Sequence, residues 1–245
     1  MYNMSMNDRQ ISQLEIVKTK VRQLLGGDTS GHADDHVERV ALLAERFANE
    51  CNESVNLQEV LLTAWLHDVD DYKLVGKMQA EKLTNAVDIM AQAEIADDLS
   101  QVVLENIAAI GYSKRLNGKQ PQRLAGKLAS DADMCDAIGA VGIERALAYA
   151  CHHGGRIFDP KVWPNVNLAV HEYNADGNTH DTDGFINHFF EKLLKLKGLM
   201  LTEPGRAEAE NRHQIMTDFL RAYFHEKNAP EWSEFLEEYL RDISA

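Results

Sequence analysis

Apolar residues return at three- and four-residue spacing along nearly the whole chain, while alternating Val/Ile/Thr stretches joined by hairpin turns are nearly absent. That periodicity confines the chain to an all-α fold. Ile11, Leu14, Val17, Val21, Leu24 and Leu25 outline a first helix that stops at Gly26-Gly27. A second is expected over 34–49, with Val37, Val40, Ala41, Ala44 and Phe47 as its apolar stripe. Asn56 followed by Glu59 resembles a capping box, and it opens a third helix through Leu57, Val60, Leu61 and Ala64 that ends near Asp70. Further helices are expected over 76–92, 94–110, 121–130, 132–151, 185–200, 205–226 and 231–242. Residues 152–184 are rich in Gly, Pro, Asn and Asp, which predicts a long irregular segment able to act as a lid. No internal repeat or low-complexity tract divides the 245 residues, so a single domain is expected.

The third helix raises a physical question. The stretch TAWLHDVDDYK (63–73) is an apolar run that ends in a histidine and three carboxylates. His67 and Asp68 continue the stripe of Val60, Leu61 and Ala64, so the helix steers them inward, where an unpaired charge costs several kcal/mol. His36 lies in phase with Val40, Leu43 and Phe47 at the inner edge of the preceding helix. A third segment, SDADMCDAIGAVGIERALAYA (130–150), carries Asp131, Asp133 and Asp136 before it turns apolar, and Asp133 is in phase with Ala137, Ala140 and Val141. Imidazole nitrogen combined with carboxylate oxygen suits Mn, Fe, Co, Ni or Zn, whereas carboxylates alone point to Mg or Ca.

The order His36, His67-Asp68, Asp133 resembles the H…HD…D signature of the HD superfamily of metal-dependent phosphohydrolases. GHADDHVERVALLA is similar to that family's H-x-x-x-H-x-x-R-V opening, AWLHDVDD to its apolar-H-D helix end, and SDADMCDAIGAVGIERA to the D-A-D-x-x-D-A-x-G-A-x-G-x-x-R segment of its short single-domain bacterial members. INHFFEKLLKLKGLM (186–200) resembles a later element of the same group, so the likeness runs over about 31–226. It implies an HD-domain helical bundle in which His36, His67, Asp68 and Asp133 hold one divalent ion (Mn, Fe, Co, Ni or Mg), with Asp131 the competitor for the last place. It implies catalytic roles for Asp68, Arg39 and Lys192: accepting a proton from water in the first case, neutralising phosphoryl charge in the other two. His32 also fits the family opening, and His188 falls in the later element without an assigned role. Residues 69–130 contain no histidine, so the extra ligands of two-metal members are missing and a mononuclear site is expected.

Composition sets the outer bounds. A formal net charge of −14 leaves no broad footprint for extended nucleic acid, so a small phosphorylated substrate, a nucleotide for instance, is the expected partner. Three cysteines without a CxxC pair fit a reducing, cytoplasmic setting. No stretch approaches 18 consecutive apolar residues, so no membrane span is expected; a homo-oligomer stays open. His180-Asp181 and His152-His153 lack an apolar helix to deliver them inward and read as solvated turns. Asp131, Asp133 and Asp136 do not form an EF-hand, and no GK[ST] follows Gly26-Gly27, which excludes a P-loop. Lys73, Lys195 and the pair Lys114-Arg115 are further cations that could meet a phosphate. Two other classes compete: a non-catalytic nucleotide-sensing or partner-binding module on the same fold, and an isoprenoid-type helical enzyme with aspartate-rich Mg sites, suggested by DVDD and DADMCD.

Overall fold

The computed structural model describes residues 5–26, 33–71, 75–166 and 184–243. Among these the chain is helical without strands, apart from one isolated bridge between Arg156 and Gly184. The helices are α1 (Asp8–Leu25), α2 (Ala33–Glu50), α3 (Leu57–Leu66), α4 (Lys77–Lys82), α5 (Thr84–Gln92), α6 (Asp97–Ile107), α7 (Tyr112–Leu116), α8 (Leu124–Asp136), α9 (Gly139–His152), α10 (Phe185–Glu191), α11 (Glu203–Glu226) and α12 (Pro230–Asp242). A 3₁₀ segment, Leu193–Leu199, continues from α10. No described helix is long and apolar enough to cross a membrane.

The chain forms two compact units, 1–134 with 201–205, and 135–200 with 206–245. In the first, α3 is the central element and packs on α1, α2 and α6. Every residue from Gln58 to Leu66 is buried, as expected of a helix that is apolar on all sides. Its N-terminus is capped by Asn56, whose side chain accepts the N–H groups of Gln58 and Glu59. The expected capping box is not completed. The Glu59 carboxylate turns away to accept Arg123 Nε and Nη2, at 2.8 and 3.1 Å, and Asn106 Nδ2 at 3.1 Å. A buried carboxylate gains more from a bidentate guanidinium than from a single backbone N–H.

Several boundaries differ from expectation for local reasons. The third helix ends at Leu66, and residues 67–70 form a turn. The 76–92 stretch breaks at Leu83, whose φ of 51° is left-handed, leaving α4 and α5 as separate pieces. The break expected near 131 falls after Asp136, where Arg145 pairs with the Asp136 carboxylate at 2.8 Å and the chain turns through Gly139 at φ 79°.

The second unit is built on rings. Trp232 is fully buried and lies against Phe158, Phe190, Phe224 and Phe235. Trp163 stacks on it with centroids 4.6 Å apart and planes 6° from parallel. The described part of the irregular segment is thereby fastened down. Phe185 N–H donates to Arg156 O, Ile186 N–H to Ile157 O, Asn187 Nδ2 to Val162 O and Lys195 Nζ to Val166 O. Residues 154–166 thus form a strap on the second unit's core; 167–183, the rest of the segment expected to be able to act as a lid, lie outside the described residues. His180-Asp181 lies outside the described residues.

Candidate metal centre

The first unit brings His36, His67, Asp68 and Asp133 together. His67 and Asp68 stand in the turn that follows α3, so the most deeply packed helix of the unit fixes where they point. His67 Nδ1 lies 2.8 Å from Ala64 O. A carbonyl only accepts, so Nδ1 carries the hydrogen, and in the neutral ring Nε2 presents its lone pair. That Nε2 is buried and has no hydrogen-bond partner. His36, from α2, sets its ring edge-on to His67 with centroids 5.3 Å apart.

Two carboxylates close the group. Asp133 Oδ1, from α8, lies 3.4 Å from His36 Nε2 and 3.6 Å from His67 Nε2. Asp68 Oδ2 is 3.5 Å from each of the same two nitrogens. The imidazoles form the floor, with side chains 7% and 2% exposed, and Asp133 and Asp68 form the rim at 21% and 38%. Burial alone would raise both carboxyl pKa values, yet His36 and His67 hold them well below the ordinary carboxylate range. Burial likewise pushes His67 down, and Asp68 with Asp133 more than reverse it. The two carboxylates therefore stabilise positive charge in the space the four groups share.

His36, His67 and Asp133 offer ligand atoms within 4.8 Å of one another, a group that could hold a metal ion. Bonds of roughly 2.0–2.2 Å place neighbouring ligand atoms about 3.0–3.5 Å apart around an ion. The observed 3.4–3.6 Å separations are longer than an ordinary N–H···O hydrogen bond and fit that spacing. An imidazole nitrogen buried without a donor completes the fit.

Asp131 points elsewhere. It is buried, and its carboxylate accepts Leu201 N–H at 2.9 and 3.0 Å, Thr202 N–H at 2.7 Å and Thr202 Oγ1 at 2.7 Å. Arg39 sits on α2 one turn beyond His36, half-buried. Lys192 belongs to the second unit, half-buried where α10 passes into the 3₁₀ segment. Lys114 is exposed, and Arg115 donates to Gln120 Oε1 at 2.6 Å. His32 and Lys73 lie outside the described residues. Asp70, to which the sequence assigned nothing, is buried and accepts the N–H groups of Asn85 and Ala86, both at 2.9 Å. Its sequence signal was slight: a third acid after an HD pair looks like solvated surface.

No family model matches the chain. It is 31% identical over 223 residues to YpgQ of Bacillus subtilis (strain 168), spanning 91% of this chain and 96% of that protein. Among solved structures it is similar to a protein from Lactobacillus plantarum, with 35% identity, a TM-score of 0.75 and coverage of 92% of this chain and 100% of that one. An HD-superfamily hydrolase from Bacillus thuringiensis matches with 32% identity and a TM-score of 0.69, over 90% and 99% of the two chains. YpgQ, solved in complex with ADP, matches with 26% identity and a TM-score of 0.68, over 89% and 96%. An all-α fold whose first unit carries a His-His-Asp group able to hold a metal ion fits the class of metal-dependent hydrolases. The chain belongs to the HD superfamily.

Proposed function

We propose that this protein is a phosphohydrolase that uses one divalent ion, held by His36, His67, Asp68 and Asp133, to cleave a phosphoester or phosphoanhydride of a nucleotide or similar small phosphate. The observation that carries the reading is the buried, unpartnered Nε2 of His67 facing two carboxylates. ADP in the YpgQ crystal supports the nucleotide.

When bound, such an ion polarises a phosphoryl oxygen and lowers the pKa of water near neutral pH. The protein's own groups supply the rest. His36 and His67 stay neutral as ligands, with Ala64 O holding the His67 tautomer. Asp68, the most exposed carboxylate of the four, accepts the proton of the attacking water. Arg39 and Lys192 offset the charge that builds on the phosphoryl oxygens. The three free cysteines agree with action in the cytoplasm.

Carboxylate-only Mg chemistry of the isoprenoid type fits less well. Of its DVDD and DADMCD acids, Asp70, Asp131 and Asp136 are committed to backbone N–H groups, Thr202 and Arg145. Elemental analysis of purified protein and of Asp68→Ala tests the site, and a panel of nucleotides and phosphate esters assayed with Mn, Co or Ni tests the reaction. Stoichiometric metal retained in Asp68→Ala would remove that residue from the ligand set. Metal binding without turnover across the panel would favour the sensing module.

A further inference from the structure

The two carboxylates at the rim each have a buried aspartate two residues away. Asp68 is followed by Asp70, and Asp133 is preceded by Asp131, and both of these neighbours serve a distant helix start. Helix α5 begins after Leu83, which is left-handed and provides no side-chain cap. Its second and third N–H groups, from Asn85 and Ala86, are taken one each by the two oxygens of Asp70. Asn85 answers by donating its side-chain amide to Val69 O at 2.8 Å, so the 67–70 turn is clasped from both directions. The start of α11 is treated in the same way. Thr202 caps it by accepting Gly205 N–H at 3.2 Å, and the same hydroxyl donates to Asp131. Gly205 is needed there, because a Cβ would collide with the Asp131 carboxylate.

An ordinary cap comes from the residue beside the helix and sits in water. At α5 the cap itself is imported as a buried carboxylate, and at α11 the local cap Thr202 is held by one, in both cases at a cost in desolvation and from positions two residues from the candidate ligands. The geometry makes that placement useful. On a helix two residues are about 200° apart, so fixing Asp131 to 201–202 fixes the rotation of α8 and with it the aim of Asp133. In the 67–70 turn, pinning Asp70 and Val69 O fixes the backbone from which Asp68 projects.

We infer that Asp70 and Asp131 are positioning residues that brace the two rim carboxylates, Asp70 by capping α5 and Asp131 by anchoring Leu201 and Thr202 at the start of α11, so that the ligand set is held in place before an ion arrives. The inference rests on the metal reading proposed above. It is tested by titrating the full-length protein with Co²⁺, following both affinity and the visible d–d bands that report coordination geometry, alongside thermal denaturation. Asp70→Ala and Asp131→Ala are expected to bind Co²⁺ about ten- to a hundredfold more weakly, with altered bands. Asp70→Asn and Asp131→Asn, which keep one acceptor oxygen, fall between these and wild type, and they carry the test if an alanine variant does not fold. Asn56→Ala is the control, since it removes a cap from the far end of α3. It lowers the melting temperature while leaving Co²⁺ affinity and spectrum unchanged. If the Asp70 and Asp131 variants behave like this control, the inference is overturned while the metal site stands. If wild-type protein takes up no Co²⁺, the metal reading fails first and the brace with it.

Discussion

Each unit of this protein tucks away a pair of histidines, and their surroundings are opposite in sign. In the first, His36 and His67 face Asp68 and Asp133 at 3.4–3.6 Å. In the second, burial and Lys192 hold His188 down to about 3, while burial and then Lys197 bring His213 to about 4, with Glu210 opposing and Arg221 adding to the drop. His67 and His213 each leave a ring nitrogen without a partner. Burial of a histidine is therefore no sign of a metal site. The carboxylates are what make the first pair able to welcome a cation, whereas Lys192 near His188, and Lys197 and Arg221 near His213, disfavour positive charge on those rings.

The sharpest way to break that contrast is to remove the carboxylates. Asp133→Ala is expected to weaken Co²⁺ or Mn²⁺ binding by more than about a hundredfold, beyond the range of outer-shell changes, in isothermal titration. Hydrolysis, if present, falls with it. Lys192→Ala probes the cationic side: if Lys192 meets the phosphate, KM rises on the order of tenfold, worth about 1.4 kcal/mol, while metal affinity is unchanged.

A smaller effect concerns acid. The folded protein keeps His213 neutral down to about pH 4, whereas the unfolded chain protonates it near the ordinary histidine value of 6.5. Unfolding therefore takes up a proton between those values, and stability falls as pH drops from 6.5 toward 4. His213→Gln is expected to relieve about 1 kcal/mol of that loss at pH 5, allowing for screening by solvent, in urea titrations at pH 7 and pH 5. Equal acid sensitivity in variant and wild type would contradict the assigned environment. Smallest is the strap. Trp163→Ala removes a ring pair worth about 0.5–1.5 kcal/mol, and limited proteolysis is expected to cut first within 154–166.

The sequence made the helices legible because their apolar stripes are long, and it singled out His36, His67, Asp68 and Asp133, which the structure brings together, through polar residues in phase with such stripes and through the likeness to the HD motifs. It did not separate Asp131 from Asp133. Both are Asp on one helix, and only the bonds to Leu201 and Thr202, seventy residues on, divide them. Asp70 was illegible for the same reason, since the N–H groups it accepts belong to a helix start fifteen residues away. The irregularity of 154–166 was legible from its Gly, Pro and Asn, but its fastening was not, because the stacking of Trp163 on Trp232 depends on a ring from another helix. Local pattern shows through; a partner distant in sequence does not.

The all-round burial of α3 has a kinetic face. Its amides are reached by solvent only when the whole first unit opens, so they are expected to be the slowest there to exchange for deuterium. The scaffold behind His67 and Asp68 is thus among the last parts of the unit to come apart. An ion that finds these residues already arranged has no refolding to drive, and its binding free energy appears as added resistance to unfolding, growing with the logarithm of its concentration.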